Sequence, residues 1–267
     1  MVNDESLLDE LFMELASQTR RGMLQRLDEH DYKLSKLATD LDLTIQEAHR
    51  NVSRLSKLGL VEKRADNSLA LSSFGKFIVN QLIPYQFLLK NEDYFTKHTT
   101  GDLPKKFIRR LGALRNSTLV CGIGPVLERW KNLAKDSKSS IKLITIHYPL
   151  DAAKIYAAKP KEGVKMTYIF GYNTEVPKER DDMLKEISWT KMISSGLVKR
   201  KMLKTVQVSV TTSDKESCVF FPDITGQPDM LSGFFSNDED FSDWCNDYFD
   251  YQWERADFFD ESKLRKN

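Results

Sequence analysis

The sequence has few of the residues that mark secreted, metal-binding or membrane proteins. Its 267 residues include only three cysteines, and their wide spacing suits neither a disulfide framework nor a metal site. The most apolar stretch, residues 77–89, is interrupted by polar residues and a proline, so it is too short to span a bilayer. The acidic N-terminus lacks the apolar segment of a signal peptide. We therefore expect a cytoplasmic protein with no membrane partner, no metal and no cofactor.

Charge is balanced in total but segregated along the chain. The net charge is +1, which says little about partners. Residues 33–64, however, hold seven Lys or Arg against four Asp or Glu, whereas residues 237–260 are strongly acidic. A basic segment near the N-terminus suits a nucleic-acid partner.

The first sixty residues predict four short helices. Apolar residues recur at helical spacing in residues 7–15, 17–27, 34–41 and 44–58. The fourth segment opens with Thr44-x-x-Glu47, which has the spacing of a capping box, and Gly59 is placed to end it. A short helix, a tight turn and a second helix form the helix-turn-helix plan of many DNA-binding proteins.

The outward face of the fourth predicted helix suits DNA. Gln46, Arg50, Ser53, Arg54 and Lys57 form one stripe at helical spacing, and forked side chains such as Arg and Gln match base edges in the major groove. Residues 60–64 and 68–71 predict a hairpin with a basic tip directly afterwards, as in a winged helix. The predicted DNA contacts are Thr44, Gln46, His49, Arg50, Ser53, Arg54, Lys57, Lys63, Arg64 and Asn67.

The run VSRLSKLGLVEKRADNSLALSSFGKFI resembles the winged-helix regulators of the ArsR and MarR kind. That resemblance implies a winged helix-turn-helix domain, which we place at residues 1–73. The cysteine pair that metal-sensing ArsR proteins carry in the third helix is absent, so we expect no metal sensing. The apolar helix that follows, from Phe74 to Leu89, is expected to serve as a linker and dimer interface within residues 74–101.

Residues 102–267 predict an α/β regulatory domain. Strands at residues 117–121, 141–147 and 164–170 alternate with helices, which indicates a mostly parallel sheet. The whole chain is thus expected to be an α+β multidomain protein. Ligands bind at the carboxyl ends of strands in open α/β sheets, so the candidate ligand residues are Gly122, Gly124, His147, Tyr148, Tyr172 and Asn173. The alternative for each of them is an ordinary turn or loop residue.

The ending SGFFSNDEDFSDWCNDYFDYQWERADFF, together with the predicted wing, resembles archaeal regulators of the methanogenesis-regulatory-protein and TrmB kind. The resemblance implies a winged helix fused to a sensor domain with a phospholipase-D-like fold. Phospholipase D chemistry needs His-x-Lys, but the residues two after the four histidines are Tyr32, Asn51, Thr100 and Pro149. We therefore expect a sensor and no enzyme.

These patterns together predict a sequence-specific transcription regulator that binds double-stranded DNA as a homodimer and responds to a small-molecule effector. Two alternatives remain open. The winged helix could be a protein-interaction module of the transcription machinery, or it could be tethered to an enzyme.

Overall fold

The computed structural model describes residues 4–266, except for the side chains of residues 4 and 173. The chain divides between Tyr85 and Gln86 into two compact units. The predicted linker, residues 74–101, has residues on both sides of that division. Among the described residues, no helix is long and apolar enough to cross a membrane.

The first unit is a winged helix-turn-helix domain. Its elements in chain order are the helices α1 (Asp4–Ala16), α2 (Gln18–Glu29), α3 (Leu34–Asp40) and α4 (Ile45–Lys57), the antiparallel hairpin of β1 (Val61–Lys63) and β2 (Leu69–Leu71), and the start of α5 (Ser73–Lys90). Its core contains six side chains with no solvent exposure: Met23, Leu24, Leu37, Ala48, Leu55 and Leu60. The four predicted helices and the hairpin are confirmed.

Local chemistry sets both ends of α4. The Thr44 hydroxyl accepts a hydrogen bond from the Glu47 N–H at 3.2 Å, and the Glu47 carboxylate accepts one from the Thr44 N–H at 3.0 Å. This is the predicted capping box, and it satisfies two N–H groups that the helix backbone leaves free. Beyond the other end, Gly59 has a φ of +72°, which a residue without Cβ adopts at little cost.

The second unit is an α/β domain built on one large sheet. After α5 it contains α6 (Glu92–Phe95), α7 (Lys105–Ile108), a 3-10 turn (Leu111–Leu114), β3 (Thr118–Cys121), α8 (Ile123–Asp136), β4 (Ser140–His147), α9 (Leu150–Ala158), a 3-10 turn (Lys159–Glu162), β5 (Lys165–Val176), α10 (Arg180–Glu186), α11 (Trp189–Ser194), β6 (Val198–Leu203), β7 (Ser209–Ser213), β8 (Ser217–Phe220), β9 (Ser232–Ser236), α12 (Glu239–Arg255), β10 (Asp257–Phe258), a 3-10 turn (Glu261–Lys263) and β11 (Arg265–Lys266).

The sheet is mixed, whereas the sequence predicted a mostly parallel one. The strand order is β10-β6-β5-β4-β7-β8-β9-β3, with β11 beside β5. The pairs β4–β5, β5–β6 and β5–β11 are parallel, and the other pairs of this sheet are antiparallel. Only residues 214–216 separate β7 from β8, and a connection that short joins antiparallel strands alone. The α/β class itself is confirmed.

Several predicted boundaries in this unit were wrong. The apolar pattern of residues 178–193 predicts a single helix, but Ser188, with a φ of +56°, divides it into α10 and α11. Strand β5 runs on to Val176, so Tyr172 and Asn173 belong to the strand and do not follow it. Strand β6 was missed, because its alternating sequence VKRKML reads as a basic surface segment until it is paired with β5.

Both faces of the sheet are covered. Leu143 faces the cluster that contains Trp130 of α8 and Tyr156 of α9, while its neighbour Ile144 faces the cluster that contains Trp244 of α12. The Trp244 Nε1–H donates a hydrogen bond to the backbone oxygen of Phe107 at 3.1 Å. The aromatic face of α12 is therefore core.

Candidate functional site

The outward face of α4 presents the polar stripe that the sequence predicted. Gln46, His49, Arg50, Ser53 and Lys57 are exposed. The opposite face buries Ala48, Val52 and Leu55 in the core of the first unit. The burial pattern therefore fixes which side of α4 is available to a partner.

Arg54, at the edge of this stripe, is already engaged. Its Nε lies 2.9 Å and its Nη2 2.5 Å from the two carboxylate oxygens of Glu14 in α1. Glu14 is only 11% exposed and also contacts Arg20 at 2.7 Å. The Arg54 hydrogen bond, with the charge of Arg20, holds the pKa of Glu14 below its ordinary value. Two of the three guanidinium nitrogens of Arg54 are thus engaged by a carboxylate of the same chain, although half of the side chain is exposed.

Sequence reasoning missed Glu14. The spacing of Leu7, Leu8, Leu11, Phe12 and Leu15 predicts the first helix, and Glu14 reads only as one of several acids near the N-terminus. Its position one residue before the buried Leu15 was the available signal, because it puts the carboxylate next to the core.

The two hydroxyls of the predicted set belong to the backbone structure of α4. Thr44 is the N-cap, and the Ser53 hydroxyl donates a hydrogen bond to the backbone oxygen of His49 at 2.8 Å. Both side chains remain exposed. The Thr44 hydroxyl donates to the Glu47 carboxylate at 2.7 Å and the Ser53 hydroxyl donates to His49. Because a phosphate only accepts hydrogen bonds, either hydroxyl would have to rotate before it could donate to one.

The hairpin carries the remaining predicted residues. Arg64 lies 2.6 Å from Glu62 and 3.5 Å from Asp31, so its charge is partly neutralised. Asn67 has a φ of +64° at the turn, a conformation that asparagine tolerates better than most residues. Lys63 is exposed. Within residues 4–266, no ion pair involves Arg50, Lys57 or Lys63, and these three are the cations that a phosphate backbone would meet directly.

A cavity of about 500 Å³ opens in the second unit at the predicted edge of the sheet. Strands β3, β4 and β5 run in the same direction, so their carboxyl ends share this edge. The walls come from α8, from the ends of β4 and β5 and from residues 228–231. Trp130, at 2% exposure, lines the cavity, and its Nε1–H donates to the Thr211 hydroxyl at 2.8 Å.

The structure separates the six candidate ligand residues. His147 lines the cavity. Gly122 is the N-cap of α8 with a φ of +95°, and Gly124 lies in α8 with open space around it. Tyr148 is buried against Phe170. The Tyr172 hydroxyl donates to Asp257 at 3.0 Å, and the side chain of Asn173 lies outside the described residues.

Three polar side chains beside the cavity form a cluster that the sequence did not indicate. The Nε2 of His98 lies 2.7 Å from an Asp229 carboxylate oxygen, and the Ser232 hydroxyl donates to the same oxygen at 2.9 Å. The other ring nitrogen of His98 lies 2.8 Å from the backbone oxygen of Tyr94. Because His98 and Asp229 are 131 residues apart, no local motif could reveal the pair.

No family model and no curated protein sequence matches the chain. Among solved structures it is similar to TrmBL2, an archaeal chromatin protein described with a novel mode of DNA binding, at 13% identity and a TM-score of 0.42 over 96% of this chain and 100% of that one. It is also similar to Nuc of Salmonella typhimurium, a phospholipase D family member, at 11% identity and a TM-score of 0.39. This similarity covers 54% of this chain and 98% of that one.

A third similar structure is HmgR of Pseudomonas aeruginosa, at 11% identity and a TM-score of 0.30 over 91% of this chain and 98% of that one. Similarities at this level assign neither a family nor an activity.

Proposed function

We propose that the protein is a sequence-specific DNA-binding transcription regulator. The observation that carries the proposal is the exposed stripe of α4, with Gln46, Arg50 and Lys57 outward and with Ala48, Val52 and Leu55 buried on the opposite face. An α-helix of this width enters the major groove, where Arg reads guanine and Gln reads adenine. The adjacent hairpin offers Lys63 to the phosphates.

We further propose that the protein acts as a homodimer. Phe74, Phe77, Tyr85 and Leu89 are 50–72% exposed on α5, and their spacing puts them along one face of that helix. Four large exposed apolar or aromatic side chains on one helix face are rare on a monomer surface and are typical of an interface. Leu8 and Phe12, four residues apart on α1, are also more than half exposed. A second copy covers such a face symmetrically, and two recognition helices then read two half-sites.

The second unit is proposed to bind an effector and not to catalyse a reaction. Its apolar cavity has the size of ordinary small-molecule sites. The nearest group that resembles a nucleophile and base is Ser232 with His98, but they are 3.4 Å apart and Asp229 takes the nearer position on that nitrogen. This arrangement supports a structural contact more than a Ser–His pair prepared for attack.

The test is a gel-shift comparison on genomic fragments selected by the full-length protein. We expect Arg50→Ala/Lys57→Ala to weaken binding to the selected site by about tenfold or more. Lys154→Ala/Lys161→Ala, which removes the same charge from exposed positions of the second unit, is the matched control and should bind as the wild type does. Equal binding by all three proteins would contradict the assignment.

A further inference from the structure

The sheet-edge cavity has an apolar body. Trp130 and Val126 of α8 are 2% and 3% exposed and form its inner wall. Ile123 and Leu231 stand at the rim with 70% and 54% of their surface exposed. Large apolar side chains left exposed around a concavity mark a place where an apolar group binds.

One carboxylate at this cavity, Glu175, forms two loose ion pairs and no hydrogen bond among the described residues. The oxygens of Glu175 lie 3.7 Å from His147 Nδ1 and 3.8 Å from Arg265 Nη1, which is beyond hydrogen-bonding distance. No hydrogen bond of the described residues reaches its side chain, although Glu175 is only 35% exposed. A partly buried carboxylate without donors is the acceptor that a ligand N–H would satisfy.

The second carboxylate of the cavity is saturated. Asp229 accepts hydrogen bonds from the Leu231 N–H at 2.7 Å and from Ser232 at 2.9 Å, and it lies 2.7 Å from His98. Its role is to hold residues 229–231 in place as a cavity wall. It adds negative potential without offering a free oxygen, so Glu175 is the polar anchor.

We infer that this cavity binds small amphipathic amines, with the apolar part against Trp130 and the ammonium group on Glu175. The carboxylate disfavours an acid, and the apolar wall disfavours a fully polar molecule such as a sugar. The inference rests on the proposed sensing function and names its ligand class.

The cavity wall is joined to the segment that follows α5. The Thr99 N–H donates to the oxygen of Pro222 at 2.9 Å, and the Ile224 N–H donates to the oxygen of Lys97 at 3.1 Å. The ring of His98 stacks on Tyr94 with centroids 3.8 Å apart. Asp229 of the cavity wall lies 2.7 Å from His98, so the wall directly contacts residues 94–99, just beyond the helix that carries the proposed dimer face.

Calorimetry on the full-length protein tests the inference with three probes of similar shape. These are 2-phenylethylamine, 2-phenylethanol and 3-phenylpropanoate. We expect saturable binding of the amine to one site, at least about tenfold tighter than either other probe. Glu175→Gln should remove about tenfold of this affinity, whereas Glu186→Gln, at an exposed position of α10, should not change it.

A blocking variant places the binding in this cavity. Ile123→Trp fills the rim at an exposed position, so the fold should tolerate it, and it should abolish amine binding. Phe258→Trp, at a position 93% exposed and away from the cavity, is its control. Equal binding of the alcohol or the acid, amine binding unchanged in Ile123→Trp, or no amine binding at all would each overturn the inference. The calorimetry measures amine binding without DNA, and the gel shift measures DNA binding without amine. A failure of the ligand inference is therefore distinguished from a failure of the proposed DNA binding.

Discussion

Glu14 and Arg54 form a two-point ion pair that ties α1 to the proposed recognition helix. The Arg54 Nε and Nη2 lie 2.9 and 2.5 Å from the Glu14 oxygens, and Arg20 contacts the same carboxylate at 2.7 Å. One carboxylate thus faces two arginines next to the surface that would meet DNA. The pair stabilises the helix arrangement and lowers the positive charge available to phosphates.

Glu14→Gln should lower the stability of the first unit at neutral pH. The loss is about 1 kcal/mol, because Arg54 is half exposed and water screens the pair. The pKa of Glu14 is depressed by Arg54 from its ordinary value of 4.5. Its stabilisation is therefore complete above that value and disappears as pH falls through the lower folded-state pKa. Urea titrations of both proteins between pH 7 and pH 3 should show the difference shrinking with acid; a constant or growing difference would contradict this.

The same substitution should increase non-specific DNA binding. Removing the Glu14 charge frees Arg54 for phosphates, so the slope of log affinity against log salt should steepen by about one. Glu10→Gln is the matched control, because it removes an exposed charge from α1 without a contact to Arg54. Fluorescence anisotropy on a random duplex between 50 and 200 mM salt measures both slopes. Identical behaviour of the two variants would count against a role for the pair.

Phe77→Glu should convert the proposed dimer to a monomer. Phe77 is 71% exposed on the apolar face of α5, so a charge there leaves the core intact but has to be buried in any dimer through that face. Lys76→Glu, at the neighbouring exposed position, changes charge without touching the face. Sedimentation velocity at micromolar concentration should give a monomer for Phe77→Glu and a dimer for wild type and Lys76→Glu. A wild type that stays monomeric rules the interface out.

Two glycines near helix starts should respond oppositely to alanine. A Cβ on Gly75 in α5 would stand 2.0 Å from the backbone oxygen of Leu60. Relieving this clash would require the backbone to shift, which costs more free energy than moving a flexible side chain. We expect Gly75→Ala to destabilise the first unit by about 3 kcal/mol. Gly124 of α8 has nothing within 4 Å, so Gly124→Ala should be neutral or stabilising by about 0.5 kcal/mol. Calorimetric unfolding of the two variants measures both changes in stability. Equal changes would show that the contact with the Leu60 oxygen does not destabilise Gly75→Ala.

The sequence alone determined the first unit because its information is local. The capping box at Thr44 and Glu47, the glycine after α4 and the period of buried leucines each act within a few residues, so the helices, the hairpin and the outward stripe were predictable. The α/β class of the second unit followed from alternating strands and helices in the same way.

Only the tertiary structure decided what depends on distant partners. The strand β6 and the order of the strands in the sheet could not be read from a local period, since pairing between distant segments sets them. The helical stripe alone assigned Arg54 to DNA contact. The structure shows that Arg54 also binds Glu14, which is 40 residues away in the sequence. Glu175 became part of a cavity because β5 extends beyond its predicted end and brings that carboxylate opposite His147. Such contacts arise from chain packing, and no spacing along the sequence encodes them directly.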